Sequence, residues 1–347
     1  MPLHNHIDGK VLKQRLQTST EPRTTLSFYQ YAHVTNPLFF RDYLYQQWST
    51  LGVLGRAYVA REGINAQISV LTESFTAFEQ ALRDVSFLAE TRLNIAVEDN
   101  GKSFFKLKIQ VKEKIVADGL EDERFDVTQR GQHLDAESFN ALTDQPGTVV
   151  VDMRNHYESE VGHFENAILP DVDTFRDSLP VVVDMLKEQR NQPIVMYCTG
   201  GIRCEKASAY LKHQGFQKVY QLEGGIIKYA HEVREKGLEN KFRGKNFVFD
   251  ERLGERVSNE VISQCHQCGQ PCDAHTNCPN EACHLLFIQC PKCAAAYGGC
   301  CSASCQDFLR LPVEEQRLRR KNKQSSTRNI FRKGRAGHLM EKGERAS

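Results

Sequence analysis

The stretch IVMYCTGGIRCEK, residues 194–206, sets a cysteine between an apolar run and an amphipathic segment. Residues 194–197 read as a buried strand and residues 206–211 as part of the helix that follows. Cys198 then stands at the carboxyl end of a strand, in a loop that runs into a helix N-terminus. Amides of such a loop can converge on an anion, and the helix dipole favours negative charge at the same point. Gly200 and Gly201 let the backbone curl with its N–H groups inward. Arg203 adds a fixed positive charge. Such surroundings lower a thiol pKa from about 8.5 and give a reactive thiolate at neutral pH. Cys198 and Arg203 are the expected catalytic pair, and Thr199, Gly200, Gly201 and Ile202 the active-site loop whose amides hold the sulfur.

A second concentration of chemistry lies further on. Ten of the twelve cysteines fall between residues 265 and 305. Cys265-x2-Cys268 and Cys290-x2-Cys293 are knuckle-like pairs separated by 21 residues. Two such pairs offer four thiolates to a tetrahedral ion, so structural zinc is expected, with an iron–sulfur cluster as the alternative. Cys278, Cys283, Cys301 and Cys305 form a candidate second set, with Cys272, Cys300, His275 and His284 as competitors. Few large apolar residues surround them, so a metal would contribute directly to folding.

The elements that must position these groups follow from periodicity. Residues 26–33, a helix at 37–51, a hairpin of 53–60 and 64–71, a helix at 75–85 and a strand at 92–97 give a ferredoxin-like split βαβ order. Residues 104–116 alternate, with Leu107 and Ile109 on one face and Lys106, Lys108 and Lys112 on the other. The lysine face suits either a solvated edge strand or an RNA contact. Strands at 149–152, 194–197 and 218–222 alternate with helices, as in a parallel α/β sheet. Ligands of such sheets bind beyond the carboxyl ends of the strands, where Cys198 lies. The expected organisation is a ferredoxin-like domain (1–117), a linker (118–144), a parallel α/β domain (145–240), a cysteine-rich zinc-ribbon-like module (241–311) and a basic tail (312–347).

Composition narrows the class. A chain of 347 residues, 40% apolar, suits two or three domains. No run approaches the roughly 18 apolar residues of a membrane span, and the first residues lack a secretory h-region. A cytoplasmic protein without a membrane partner is expected, in which cysteines bind metal or react and are not paired as disulfides. The net charge of +1 hides an asymmetry: residues 306–347 carry 12 basic and 5 acidic side chains. Nine basic residues and no acid fall within 317–335, beginning with Arg317, Arg319, Arg320 and Lys321. That run calls for an anionic partner. No flavin or nicotinamide fingerprint is present, so no nucleotide cofactor is expected.

The pieces VVVDMRNHYESEVGHFENAI (149–168), YCTGGIR (197–203) and LEGGI (222–226) resemble a rhodanese domain. The resemblance implies a persulfide intermediate on Cys198. The ring Cys198-x4-Arg203 is one residue shorter than the Cys-x5-Arg ring of related phosphatases, which favours a sulfur-sized occupant. Asp152, Arg154, Glu158 and His163 match the upstream motif: Asp152 could hold the loop, and Arg154 and Glu158 could pair. Cys204 suits a packing role or that of a resolving thiol.

Nearly the full length, through REGINAQI (61–68), FFKLKIQVKEKIV (104–116), MYCTGGIRCEKASAYL (196–211) and CHLLFIQCPKCAAAYGGCC (283–301), resembles the bacterial tRNA uridine(34) hydroxylase (TrhO) family. That resemblance implies an acylphosphatase-like first domain, tRNA as partner, molecular oxygen as co-substrate and 5-hydroxyuridine at the wobble position as product. The alternatives are a sulfurtransferase serving a small thiophile or carrier, and a non-catalytic RNA-binding module.

Overall fold

The computed structural model describes residues 3, 5, 7–120, 126–321 and 330–331, Lys321 by its backbone alone. The first domain is a five-stranded sheet of β1 (Arg23–Tyr31), β2 (Leu54–Ala60), β3 (Gly63–Leu71), β4 (Asn94–Ile95) and β5 (Leu107–Val111), in the order β4-β1-β3-β2-β5. Its first four strands take the antiparallel ferredoxin-like order, and β5 adds a parallel edge beside β2. Strand alternation divides the sheet. Leu26, Phe28, Ala57, Val59, Ile64, Ala66 and Ile68 point into one core with helices Pro37–Thr50 and Phe75–Arg83. The opposite face is polar and turns toward the second domain. The strand expected over 104–116 is only five residues long, because pairing with β2 ends at Val111.

The second domain carries a parallel sheet of β6 (Gln132–Leu134), β7 (Val149–Asp152), β9 (Pro193–Tyr197) and β10 (Lys218–Leu222), in the order β6-β10-β9-β7. The expected linker therefore needs correcting: residues 132–134 pair with β10, and Asp135 caps the helix Ala136–Thr143. Three residues are too short to show alternation, which hid β6 in the sequence. The short strand β8 (Gly162–Phe164) pairs instead with Phe242–Asn246. Apolar clusters cover both faces of the parallel sheet, as a buried parallel sheet requires.

The cysteine-rich module folds around one short antiparallel pair, His275–Asn277 with Leu286–Ile288. The helix Val313–Lys321 follows, and most of the basic tail lies outside the described residues.

The first two domains are joined through charge. Lys206, in the helix Ile202–His213, is 2% exposed and donates to Glu62 at 2.9 Å and Asp118 at 2.6 Å. Glu62 also accepts from the Ile115 N–H at 2.7 Å, so one carboxylate ties the β2–β3 turn to the chain leaving β5. Removing one member of a buried ion pair leaves its partner unsatisfied. Lys206→Met is expected to lower stability by about 3 kcal/mol. Lys206→Met combined with Asp118→Asn should lose less than the sum of the two single changes; denaturant unfolding of the four proteins checks this.

A buried thiol under a polar sheet

The central strand β9 delivers Cys198 to the carboxyl edge of the parallel sheet, and the next four residues wrap around its sulfur. The Gly201 N–H donates to Cys198 Sγ at 3.2 Å. Gly201 has φ +101°, and a Cβ there would lie 2.9 Å from the Tyr29 hydroxyl, so only glycine fits. The loop is held from behind by the second glycine motif. A Cβ on Gly225 would meet the Cys198 carbonyl oxygen at 2.4 Å. This close approach lets the N–H groups of Ile226 and Ile227 donate to the carbonyls of Cys198 and Thr199 at 3.0 and 3.2 Å. The LEGGI segment thus acts as a clamp on the thiol loop.

Arg203 lies within the first turn of the helix and is gripped by Glu158 in a two-point ion pair of 2.7 and 2.8 Å. Glu158 also accepts from the Asn155 N–H at 3.0 Å, closing a capping box on the helix His156–Ser159. The pairing expected between Arg154 and Glu158 is replaced by another. Arg154 binds Asp152, two residues before it, at 2.9 and 2.6 Å, because both are fully buried and a planar guanidinium matches a carboxylate side-on. Asp152 therefore supports the loop at one remove. His163 donates from Nδ1 to the Ser159 carbonyl at 2.8 Å and stands apart from the sulfur.

Burial alone would push the Cys198 pKa up. The Cys204 thiol, the Arg203 charge and the N–H groups of Cys204 and Arg203 outweigh it and bring the value down to about 6. Cys204, buried against that sulfur, moves well upward and keeps its proton. Its thiol is thus the donor and Cys198 the acceptor. Of the expected loop groups, Gly201 faces the sulfur with its N–H, whereas Thr199 sits 3.5 Å from Arg203 through its hydroxyl. Gly200 gives its carbonyl to Asn94 at 3.2 Å, and Ile202 lines the space above the sulfur.

That space is a cleft of about 290 Å³ between the thiol loop and the polar face of the first sheet. Ser27, Tyr29, Arg56, Tyr58, Asn65 and Gln67 roof it, and Cys198, Gly200 and Arg203 form its floor. Cys198 has no exposed surface, so a reagent reaches it only when the side chains above it shift. The Tyr29 hydroxyl donates to Glu205 at 2.7 Å, beside His133 at 3.0 Å and Arg130 at 3.1 Å. Burial would raise the Glu205 carboxyl, but His133, Tyr29 and Arg130 hold it below its ordinary value. These roof residues escaped the sequence analysis. For Asn65 and Gln67 the signal available was the polar half of the alternation in the strand expected over 64–71.

Eight of the ten cysteines of the third domain fall into two groups of four: Cys265, Cys268, Cys290 and Cys293, and Cys278, Cys283, Cys301 and Cys305. Within each group all sulfurs lie within 4.8 Å of one another. Cys272, Cys300, His275 and His284 belong to neither group. Lys108 and Lys112 are exposed on and beside the edge strand β5, and Lys106 is half-buried before it. Arg317 and Arg319 pair with Glu314 and Glu315 on their own helix, and Arg320 with Glu281. The Lys321 side chain lies outside the described residues. Such exposed pairs are weak and exchange readily for a stronger anion.

With its pKa near 6, Cys198 is mostly thiolate at pH 7 and becomes protonated as the pH falls through 6. The rate of its alkylation should therefore rise with pH and reach half its plateau near pH 6. Arg203→Ala removes a positive charge, so that midpoint should move up toward the ordinary thiol value of about 8.5. Glu158→Gln keeps the shape and leaves Arg203 unbalanced, so the midpoint should move down. Mass-spectrometric alkylation profiles check both signs, and a shift of both in one direction would show packing, not charge, in control.

Comparison with known proteins matches each domain. Residues 23–115 match a UPF0176 acylphosphatase-like domain, residues 135–232 a rhodanese-like domain and residues 243–306 a rhodanase C-terminal region. A protein of Photorhabdus laumondii named tRNA uridine(34) hydroxylase is 56% identical over 98% of this chain and 96% of its own. One of Yersinia pestis with the same name is 58% identical over 95% of this chain and 93% of its own. Among solved structures, a rhodanese-like domain protein from Staphylococcus aureus is 24% identical over 28% of this chain and 90% of its own, with a TM-score of 0.24. At more than half identity over nearly the whole length, with all three domains in place, the chain belongs to the tRNA uridine(34) hydroxylase family.

Proposed function

We propose that this protein converts the uridine at the wobble position of tRNA to 5-hydroxyuridine, with molecular oxygen as co-substrate and Cys198 as the reactive residue. The observation that carries the reading is the cleft between the domains: a thiolate on its floor, polar sheet residues on its roof, in a chain of this family. A nucleobase has to leave its stack to reach such a site, and a single-stranded anticodon loop makes that easy. Lys106, Lys108 and Lys112 and the tail's Arg317, Arg319, Arg320 and Lys321 would hold phosphates. Binding would then weaken as salt rises. Work on tRNA suits a cytoplasmic location, and among the described residues no helix is long and apolar enough to cross a membrane.

A sulfurtransferase is the second reading, favoured by the short Cys198-x4-Arg203 ring. Nucleoside analysis separates the two. Cells lacking the gene should lose 5-hydroxyuridine and regain it with the wild-type chain, and Cys198→Ser should restore none. Restoration by Cys198→Ser would remove Cys198 from the chemistry, and loss of a thiolated nucleoside in place of the hydroxylated one would favour sulfur transfer.

The two cysteine groups would each hold a structural zinc ion. Their donor geometry fits: Cys268 and Cys290 sulfurs are 3.6 Å apart, Cys283 and Cys301 3.6 Å, and Cys301 and Cys305 3.7 Å. Tetrahedral Zn–S bonds of about 2.3 Å require sulfurs roughly 3.8 Å apart. Bound zinc would lock the third domain, whose own apolar clusters are built largely from the cysteines themselves. Purified protein should carry two zinc ions per chain. Cys265→Ser should leave one and expose the third domain to protease while the first two stay intact. Iron and sulfide with visible absorption would replace this assignment by a cluster.

A further inference from the structure

The polar face of the first sheet has a register that the functional reading does not use. Antiparallel pairing sets Tyr29, Asn65 and Tyr58 in one cross-strand row and Ser27, Gln67 and Arg56 in the next. All six point away from the apolar core and line the cleft above Cys198. A six-residue polar patch over a buried thiol favours a polar occupant.

The hydrogen bonds within the patch show which groups are committed. Asn65 donates to the Ile115 carbonyl at 3.0 Å and accepts from Gln67 Nε2 at 2.7 Å. Tyr29 donates to Glu205 and Asn94 to Gly200. Gln67 Oε1 and the Tyr58 hydroxyl take no hydrogen bond among the described residues, and Arg56 spends one N–H on the Phe249 carbonyl. Left over are an acceptor and a guanidinium edge, beside a half-buried aromatic ring whose centre lies 5.8 Å from the Lys112 ammonium. An acceptor beside donors complements the imide edge of uracil, which offers one N–H between two carbonyls. Cytosine presents an acceptor where uracil has its N–H, and an amino group where uracil has a carbonyl.

Resting on the functional reading above, we propose that the first domain is the base-reading element: the flipped uridine lies with its imide edge on Gln67 and Arg56 and its ring against Tyr58, under the roof that Cys198 faces. On this view the thiol loop performs chemistry and the sheet selects uridine over cytidine.

Protection of Cys198 from iodoacetamide tests the placement without requiring turnover. The probes are anticodon stem-loop RNAs carrying uridine, cytidine or an abasic site at the wobble position, added to the full-length chain. Half-protection of the wild type should need at least tenfold less uridine RNA than cytidine or abasic RNA, the scale of one lost base contact or stack. Tyr58→Ala should raise the uridine RNA needed about tenfold. Gln67→Leu should bring uridine and cytidine RNAs within about twofold of each other. Unchanged unfolding midpoints and an unchanged pH midpoint of Cys198 alkylation in the RNA-free variants establish that the thiol loop is intact; Gln67→Met, of similar length, replaces Gln67→Leu if that variant fails to fold.

Equal protection by uridine and abasic RNAs, or variants that behave as wild type, would overturn the placement. If the same wild-type chain restores 5-hydroxyuridine in deletion cells, the functional reading survives that result. If it restores none, the functional reading falls and takes this inference with it.

Discussion

An anionic sulfur away from water is the constraint around which this molecule is arranged. Burial opposes the charge, and the opposition is met by N–H groups from the loop, by the Cys204 thiol and by Arg203. Arg203 is itself buried and would be costly alone, so Glu158 pairs with it, and the capping box fixes Glu158 in turn. The chain of dependence runs outward from one atom: sulfur to guanidinium, guanidinium to carboxylate, carboxylate to the start of a helix on the neighbouring loop. Each step satisfies a charge that the previous step buried.

The same logic joins the domains. Glu205 and Lys206 follow Cys204 directly in the helix, and both are buried and reach across to groups outside the parallel sheet, Glu205 while also bound to His133 and Gln221 within it. Tyr29 meets one, and Glu62 and Asp118 meet the other. Because adjacent residues on one helix turn bind to different parts of the first domain, the sheet is fixed in rotation as well as in distance. The cleft volume is a product of that docking and belongs to neither domain alone.

Much of this was legible in the sequence, for definite reasons. Strand β7 and strand β9 stand where the apolar runs VVV and IVMY put them, and the glycines at 200 and 201 announced a tight loop, with Gly201 at φ +101°. Cys265, Cys268, Cys290 and Cys293 stand together, as two paired turns suggest, and Cys278, Cys283, Cys301 and Cys305, for which the spacing left competitors open, form the other group. What escaped has physical causes too. The helix Gly9–Thr18 buries only Leu12 and Leu16, too little periodicity to detect. Arg154 chose Asp152 over Glu158 because Arg203 arrives from 45 residues away to claim Glu158, a contact no local pattern carries. The polar roof was visible as alternation, but nothing in a strand says which domain its outer face will meet.

Lys206 carries a consequence for the history of the chain. Here the helix that follows the thiol has exchanged its solvent face for an ammonium group sealed in protein, balanced only by carboxylates contributed from residues 62 and 118. Cut free at residue 130, the parallel α/β part would present that ammonium without its carboxylates, and Glu205 without the Tyr29 hydroxyl. Recombination with another first domain would meet the same obstacle unless the new partner carried acids and a phenol at matching places. The two domains are therefore bound to vary together, and substitutions at Tyr29, Glu62 or Asp118 should appear in descendants alongside changes at positions 205 and 206, the signature of a module that has given up its independence.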